Sequence, residues 1–221
     1  MSLKVRLTVF SLFCLLLLGY LTFKVMNGAI FFYDQPIWLF LYSLRSSVLN
    51  ILMRFVSFLG MYGVVFTSIL ILLYLYLKNK RYLALIFAVT LGTGEVVNVI
   101  FKNLVGRSRP LISPLVIEKD FGFPSGHSML AVIFFVSVTY LYFALTQNKK
   151  GTKILAIISS FCILLIGISR VYLGVHYTSD VLAGFLTGFI WLAFIYRVQL
   201  YFKDSFVLKF INNKYPQLKI F

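Results

Sequence analysis

Residues 154–196 read "ILAIISSFCILLIGI", then "SRVYLGVHYTSD", then "VLAGFLTGFIWLAFIY". Each flank is apolar nearly throughout. With adjoining residues, each reaches roughly the 20 residues that a helix needs to cross a hydrocarbon core of about 30 Å. Between them stand Arg170, His176 and Asp180, in a chain that has only two histidines and six acids. Ionisable groups cost about 2.5–3.5 kcal/mol each at the centre of a membrane helix, and less near its ends. Two membrane spans joined by a charged hinge set the class of fold, and the hinge demands a function.

The rest of the chain agrees. Of 221 residues, 61% are hydrophobic and 12% charged, whereas soluble domains are about 45–50% apolar and about 25% charged. Six stretches are long and apolar enough to span: roughly 5–26, 55–77, 82–101, 126–146, 153–173 and 178–200. The expected fold is therefore all-α, an integral membrane bundle of six transmembrane helices forming one domain over 1–221. The first span lacks a small-residue cleavage site at its end, so it reads as an uncleaved helix. Residues 27–53, with Pro36 and many aromatics, suit a helix lying in the interface or a short re-entrant piece. Cys14 and Cys162 sit in apolar runs with no ligand spacing and read as small hydrophobes.

Six spans put both termini on one side. That side carries Lys4, Arg6, Lys78, Lys80, Arg81, Lys149, Lys150, Lys153 and Arg197, together with the basic tail 201–221, which is expected along the inner leaflet. Arg45, Arg54, Lys102, Arg107, Arg109, Lys119 and Arg170 fall on the other. The positive-inside rule makes the first side cytoplasmic. The chain is then a multi-pass cell-membrane protein with both termini cytoplasmic and its unusual residues at the extracytoplasmic face. A net charge of +15, concentrated at span ends, points to anionic lipid headgroups and not to nucleic acid.

Three clusters fall at outer ends of spans. In "KNLVGRSRP" (102–110), Lys102 and Arg109 are seven apart, and Pro110 holds Arg109 extended. A turn there brings both cations to one anion, although a snorkelling lysine and a positive loop would read the same way. In "FPSGHSM" (123–129), Ser125 is a good N-cap, Gly126 leaves the backbone open, and the helix N-terminus is an anion site by geometry and dipole. His127 lies in its first turn; a capped helix with an interfacial histidine is the plainer reading.

In the hinge, His176 and Asp180 share a face if a helix begins near Val175, while Thr178 or Ser179 would cap one that begins later. An aspartate beside an imidazole fixes its tautomer and leaves the other nitrogen free to attack. Arg170 offers a planar fork for phosphate oxygens or, alternatively, a structural ion pair to Asp180. Three cations, a helix N-terminus, two histidines and an aspartate fit metal-free phosphoryl transfer, with one histidine attacking and the other protonating the leaving oxygen. Two histidines and one acid are a poor metal-ligand set, so no metal or cofactor is expected.

These clusters, in order, closely resemble the three signatures of the type 2 phosphatidic acid phosphatase family, K-x6-R-P, P-S-G-H and S-R-x5-H-x3-D. The match covers residues 102–180, and the short loops look like the bacterial phosphatidylglycerophosphate and undecaprenyl pyrophosphate phosphatase branches. The resemblance implies a phosphohistidine at His176, oriented by Asp180, with His127 protonating the departing alcohol. It also implies that Lys102, Arg109, Ser125, Gly126 and Arg170 bind the phosphate. The substrate would be a membrane lipid in the bilayer, namely phosphatidylglycerophosphate, undecaprenyl pyrophosphate or phosphatidic acid. A lipid phosphotransferase would carry the same motifs, and an anion transporter could use the same charges without the histidine pair. Arg107 has no defining place in the motif and is expected to touch headgroup or water. In "GTGEVVN" (92–98), Glu95 is expected to be buried, bonding across to another span or lining the headgroup entrance.

Overall fold

A computed structural model describes residues 3–110 and 113–203. The tail expected at the inner leaflet, from 204 onward, lies outside them. The described residues form eight α-helices and one π-helical turn: α1 (Leu3–Met26), α2 (Asp34–Ser43), α3 (Ser47–Phe58), the π-turn (Leu59–Gly63), α4 (Val64–Leu77), α5 (Arg81–Val105), α6 (Gly126–Thr146), α7 (Lys149–Tyr172) and α8 (Thr178–Lys203). Six helical stretches are long and apolar enough to cross a membrane, so the chain is a multi-pass membrane protein with an all-helical fold.

Helix α6 is central, packing against α4, α5, α7, α8 and the π-turn. Its residues Ser128 to Phe134 are buried on every side, as a helix without a polar face must be. Close approach to α8 depends on glycine, as between small residues in membrane bundles. A Cβ on Gly184 would lie 2.5 Å from the Ser125 carbonyl oxygen, and one on Gly188 would lie 2.9 Å from the Val132 Cβ. Outward faces, such as Leu16, Phe40 and Ile51, are exposed and apolar.

The second span starts earlier than the sequence indicates, at Ser47 instead of 55. Ser46 is the reason: its extended backbone and its side chain, which accepts from the Leu49 N–H at 3.3 Å, cap α3. "LRSS" is thus a helix start, and the π-turn carries α3 directly into α4. The combined stretch of 31 residues rises roughly 46 Å, well beyond a hydrocarbon core of about 30 Å. Its first turns, with Arg54, therefore stand at headgroup level. Span three runs on to Val105 and span five begins at Lys149. The segment expected in the interface is divided: α2 seats Trp38 against Val171 and Val181, and residues 47–53 belong to α3.

The ends of α1, α5 and α7 meet the start of α8 at one end of the bundle, with α2 packed against α7 and α8. Gly106 (φ +63) ends α5 in a left-handed turn, its N–H donating to the Lys102 carbonyl, and Gly174 (φ +76) folds the chain back after α7.

Gly184→Ala is expected to lower the melting temperature in detergent by the equivalent of about 1–3 kcal/mol, the usual cost of overpacking. Gly92→Ala, which has nothing within 4 Å of its Cβ position, should be near neutral. Equal effects in thermal unfolding would contradict the α6–α8 packing.

Candidate active site

His176 lies before α8, not on it, in the turn that Gly174 starts. Asp180 is in the first turn of α8, where one carboxylate oxygen accepts from the Tyr177 N–H at 2.9 Å, half of a capping box. The same oxygen is 3.5 Å from His176 Nδ1, longer than a good hydrogen bond, as catalytic contacts often are before substrate binds. Neither Thr178 nor Ser179 caps α8. Asp34, from α2, does so from 145 residues away, accepting from the Ser179 N–H at 2.8 Å and from its hydroxyl at 2.7 Å.

Arg107 is neither on headgroup nor in water. Its guanidinium is buried, donates to Asp180 at 2.5 Å, reaches Asp34 at 3.3 Å, and lies 4.3 Å from the Tyr177 ring centroid. Arg107, not Arg170, is therefore the ion-pair partner of Asp180.

Arg109 donates to the Val175 carbonyl at 2.8 Å and approaches His176 Nε2 to 3.0 Å. A guanidinium only donates, so Nε2 must accept. The ring is neutral, with its proton on Nδ1 facing Asp180. Burial, and then the cations Arg109, Arg170 and Lys102, hold the His176 imidazole well below its ordinary pKa.

Two acids that the motifs do not contain complete the site. Asp120 pairs with Lys102 and with Arg109, while Glu118 pairs with Arg170 and lies 3.8 Å from Arg109. Burial alone would raise the Asp120 carboxyl, but Lys102 and Arg109 overcome it and hold it below its usual value. Their loop is pinned by the Leu115 N–H to the Leu173 carbonyl at 2.9 Å and by the Gly122 N–H to the Arg107 carbonyl at 2.8 Å. The sequence signal was scarcity: two of six acids fall within three residues, between two basic motifs.

Ser125 precedes α6 but does not cap it; its hydroxyl accepts from Ser128 at 2.9 Å, and its N–H donates to the Asp180 carbonyl at 3.0 Å. The first N–H groups of α6, from Gly126 on, have no intrahelical partner. Gly126 fits close to Asn98, whose Oδ1 would be 2.9 Å from a Cβ there. His127 lines a cavity of about 490 Å³ with Arg54, Ser57, Glu118 and Arg170, and Arg170 also donates to Ser57. Across the acidic loop, Lys102, Arg107, Arg109 and Asp120 line a second cavity of about 320 Å³. Glu95 is exposed and makes no hydrogen bond among the described residues, contrary to its expected burial. No group of three metal-ligating side chains occurs among the described residues.

The PAP2 superfamily model matches residues 81–204. The chain belongs to the PAP2 superfamily. Phosphatidylglycerophosphatase B of Bacillus subtilis is 37% identical over 147 residues, covering 66% of this chain and 72% of that protein. An undecaprenyl-diphosphatase of Sulfolobus acidocaldarius is 31% identical over 160 residues, 68% of this chain and 70% of its own. The crystal structure of a transmembrane PAP2 type phosphatidylglycerolphosphate phosphatase from Bacillus subtilis superposes with a TM-score of 0.76 at 30% identity, covering 93% of this chain and 99% of that one. This PAP2 member is a membrane-embedded lipid phosphatase, a phosphoric monoester hydrolase like those relatives.

The low His176 pKa carries a sign. Below the unfolded value of about 6.5 the unfolded chain binds a proton that the folded ring refuses, so stability is present above that pH and lost as pH falls. Melting temperature in detergent should drop between pH 7.5 and 5. His176→Asn should flatten that slope by at most one proton's worth, about 1.4 kcal/mol per pH unit. An unchanged slope would mean that the ring is not buried neutral.

Proposed function

We propose that this PAP2 phosphatase hydrolyses a phosphomonoester or pyrophosphate of a membrane lipid, without a metal, through a phosphohistidine at His176 on the extracytoplasmic face. Phosphatidylglycerophosphate, undecaprenyl pyrophosphate and phosphatidic acid all have the needed phosphate and apolar tail. The observation that carries the reading is the His176 ring: Arg109 at 3.0 Å from Nε2 and Asp180 at 3.5 Å from Nδ1 leave a neutral imidazole with its lone pair turned toward three cations.

The substrate phosphate takes the place of Glu118 and Asp120 on Lys102, Arg109 and Arg170, with N–H groups at Ser125 and Gly126 completing the cradle. Arg109 moves to a phosphate oxygen and releases Nε2, which forms the P–N bond as the P–O bond to the leaving alcohol or lipid phosphate breaks. His127 gives that oxygen its proton. Asp180 accepts from Nδ1–H and stabilises the positive charge of the phosphorylated ring. A water then attacks phosphorus, His127 takes its proton, and inorganic phosphate and neutral His176 are regenerated.

The two histidines separate by leaving group. His176→Ala should abolish turnover of every substrate and remove the acid-labile phosphoenzyme. His127→Ala should be nearly inactive on lipid phosphate yet keep more of its rate on p-nitrophenyl phosphate, whose leaving group needs no proton. General acid catalysis contributes about 10²–10⁴-fold, which sets the size of the gap. Equal losses on both substrates would remove His127 from the acid role.

The side is tested independently. Lys119→Cys should react with a membrane-impermeant thiol reagent in intact cells and Lys150→Cys should not; the reverse pattern puts the site in the cytoplasm.

A further inference from the structure

Arg54 stands two turns inside α3, among Ile51, Leu52, Phe55 and Phe58, all exposed and apolar. Arg45, Lys102, Arg107, Arg109 and Arg170 at the same end each hold a carboxylate or a carbonyl. Arg54 makes no hydrogen bond or ion pair among the described residues. It lines the cavity of about 490 Å³ that also holds His127 and Arg170. Ser57, the neighbour on the same helix face, accepts a hydrogen bond from Arg170, and side chains three apart have Cβ atoms about 5–6 Å apart. A second guanidinium, exposed, thus lines the cavity one turn from Ser57, and Glu118, the acid on the same cavity, is held by Arg170. Two guanidinium groups on one cavity favour an anionic ligand that lies against both.

We propose that Arg54 binds the phosphate that stays with the lipid: the phosphodiester of phosphatidylglycerophosphate or the proximal phosphate of a prenyl diphosphate. This rests on the reading of the site given under Proposed function. Arg170 and its companions take the transferred phosphate, and Arg54, on the headgroup side of Ser57, takes the next one. The cavity walls at Phe58, Met61 and Tyr62 continue from Arg54 along the membrane helix, where the apolar tail would lie. Phosphatidic acid, with a single phosphate, leaves Arg54 without a ligand. Arg54 is therefore a specificity-determining residue for lipids that carry two phosphates.

The test uses purified full-length wild type, Arg54→Gln and Arg54→Lys in mixed micelles, measuring kcat and KM on phosphatidic acid, phosphatidylglycerophosphate and undecaprenyl pyrophosphate. In Arg54→Gln, the ratio of kcat/KM on a two-phosphate lipid to that on phosphatidic acid should fall about 10–100-fold, the range for a hydrogen bond to a charged group. The fall should lie mainly in KM, and Arg54→Lys should recover part of it. A fall for phosphatidylglycerophosphate alone assigns Arg54 to the phosphodiester; a fall for undecaprenyl pyrophosphate alone assigns it to the diphosphate. An unchanged ratio, whether every substrate suffers or none does, overturns the proposal and leaves Arg54 snorkelling to bulk headgroups. Wild-type turnover of phosphatidic acid only would overturn it as well. Wild-type inactivity on all three lipids would sink the phosphatase reading itself.

Discussion

A carboxylate sealed inside an apolar bundle needs a counter-charge, and for Asp180 that counter-charge is Arg107. The same guanidinium reaches Asp34, so one cation ties the end of α5 to the starts of α2 and α8. Removing one member of such a buried pair costs about 3–5 kcal/mol, because the other is left uncompensated. What hangs from it is the site: Asp34 caps α8, Asp180 closes the His176 turn, and the Asp180 carbonyl holds Ser125 at the start of α6. His176 and the α6 N-terminus are thus placed relative to each other by electrostatics within the protein.

The class of fold was legible because hydrocarbon imposes a single rule on every span, and length with hydropathy expresses it. The residues of the three clusters were legible because ionisable groups are so rare in this chain. Their partners were not. Asp34 meets Ser179 across 145 positions, and Arg107 meets Asp180 across 73; no local periodicity encodes such pairs. Glu118 and Asp120 lie between two motifs, and only the fold sets them against three cations.

Differences from expectation here have local causes. The second span was expected to start near 55, whereas the Ser46 cap begins the helix two turns earlier. His176 and Asp180 were expected on one face only if the helix began near Val175; it begins at Thr178, and the turn at Gly174 with the Asp180–Tyr177 contact brings them within 3.5 Å instead. Glu95 looked buried because its span is apolar, but it faces outward. Hydropathy says how much of a helix is greasy and not which way each side chain turns.

The carboxylates of Glu118 and Asp120 bear on the end of a turnover as much as on its beginning. Lys102, Arg109 and Arg170 supply three positive charges, and the two acids answer two of them while no ligand is bound. In the reaction proposed above, a lipid phosphate displaces the acids with its tail anchored in the bilayer. The inorganic phosphate left after hydrolysis has no such anchor, and it competes against carboxylates tethered a few residues away, at effective concentrations on the order of millimolar or more. Its departure is an exchange of anions and never exposes a bare cluster of cations. In that scheme product release is set by the competition between carboxylate and phosphate for the same cations.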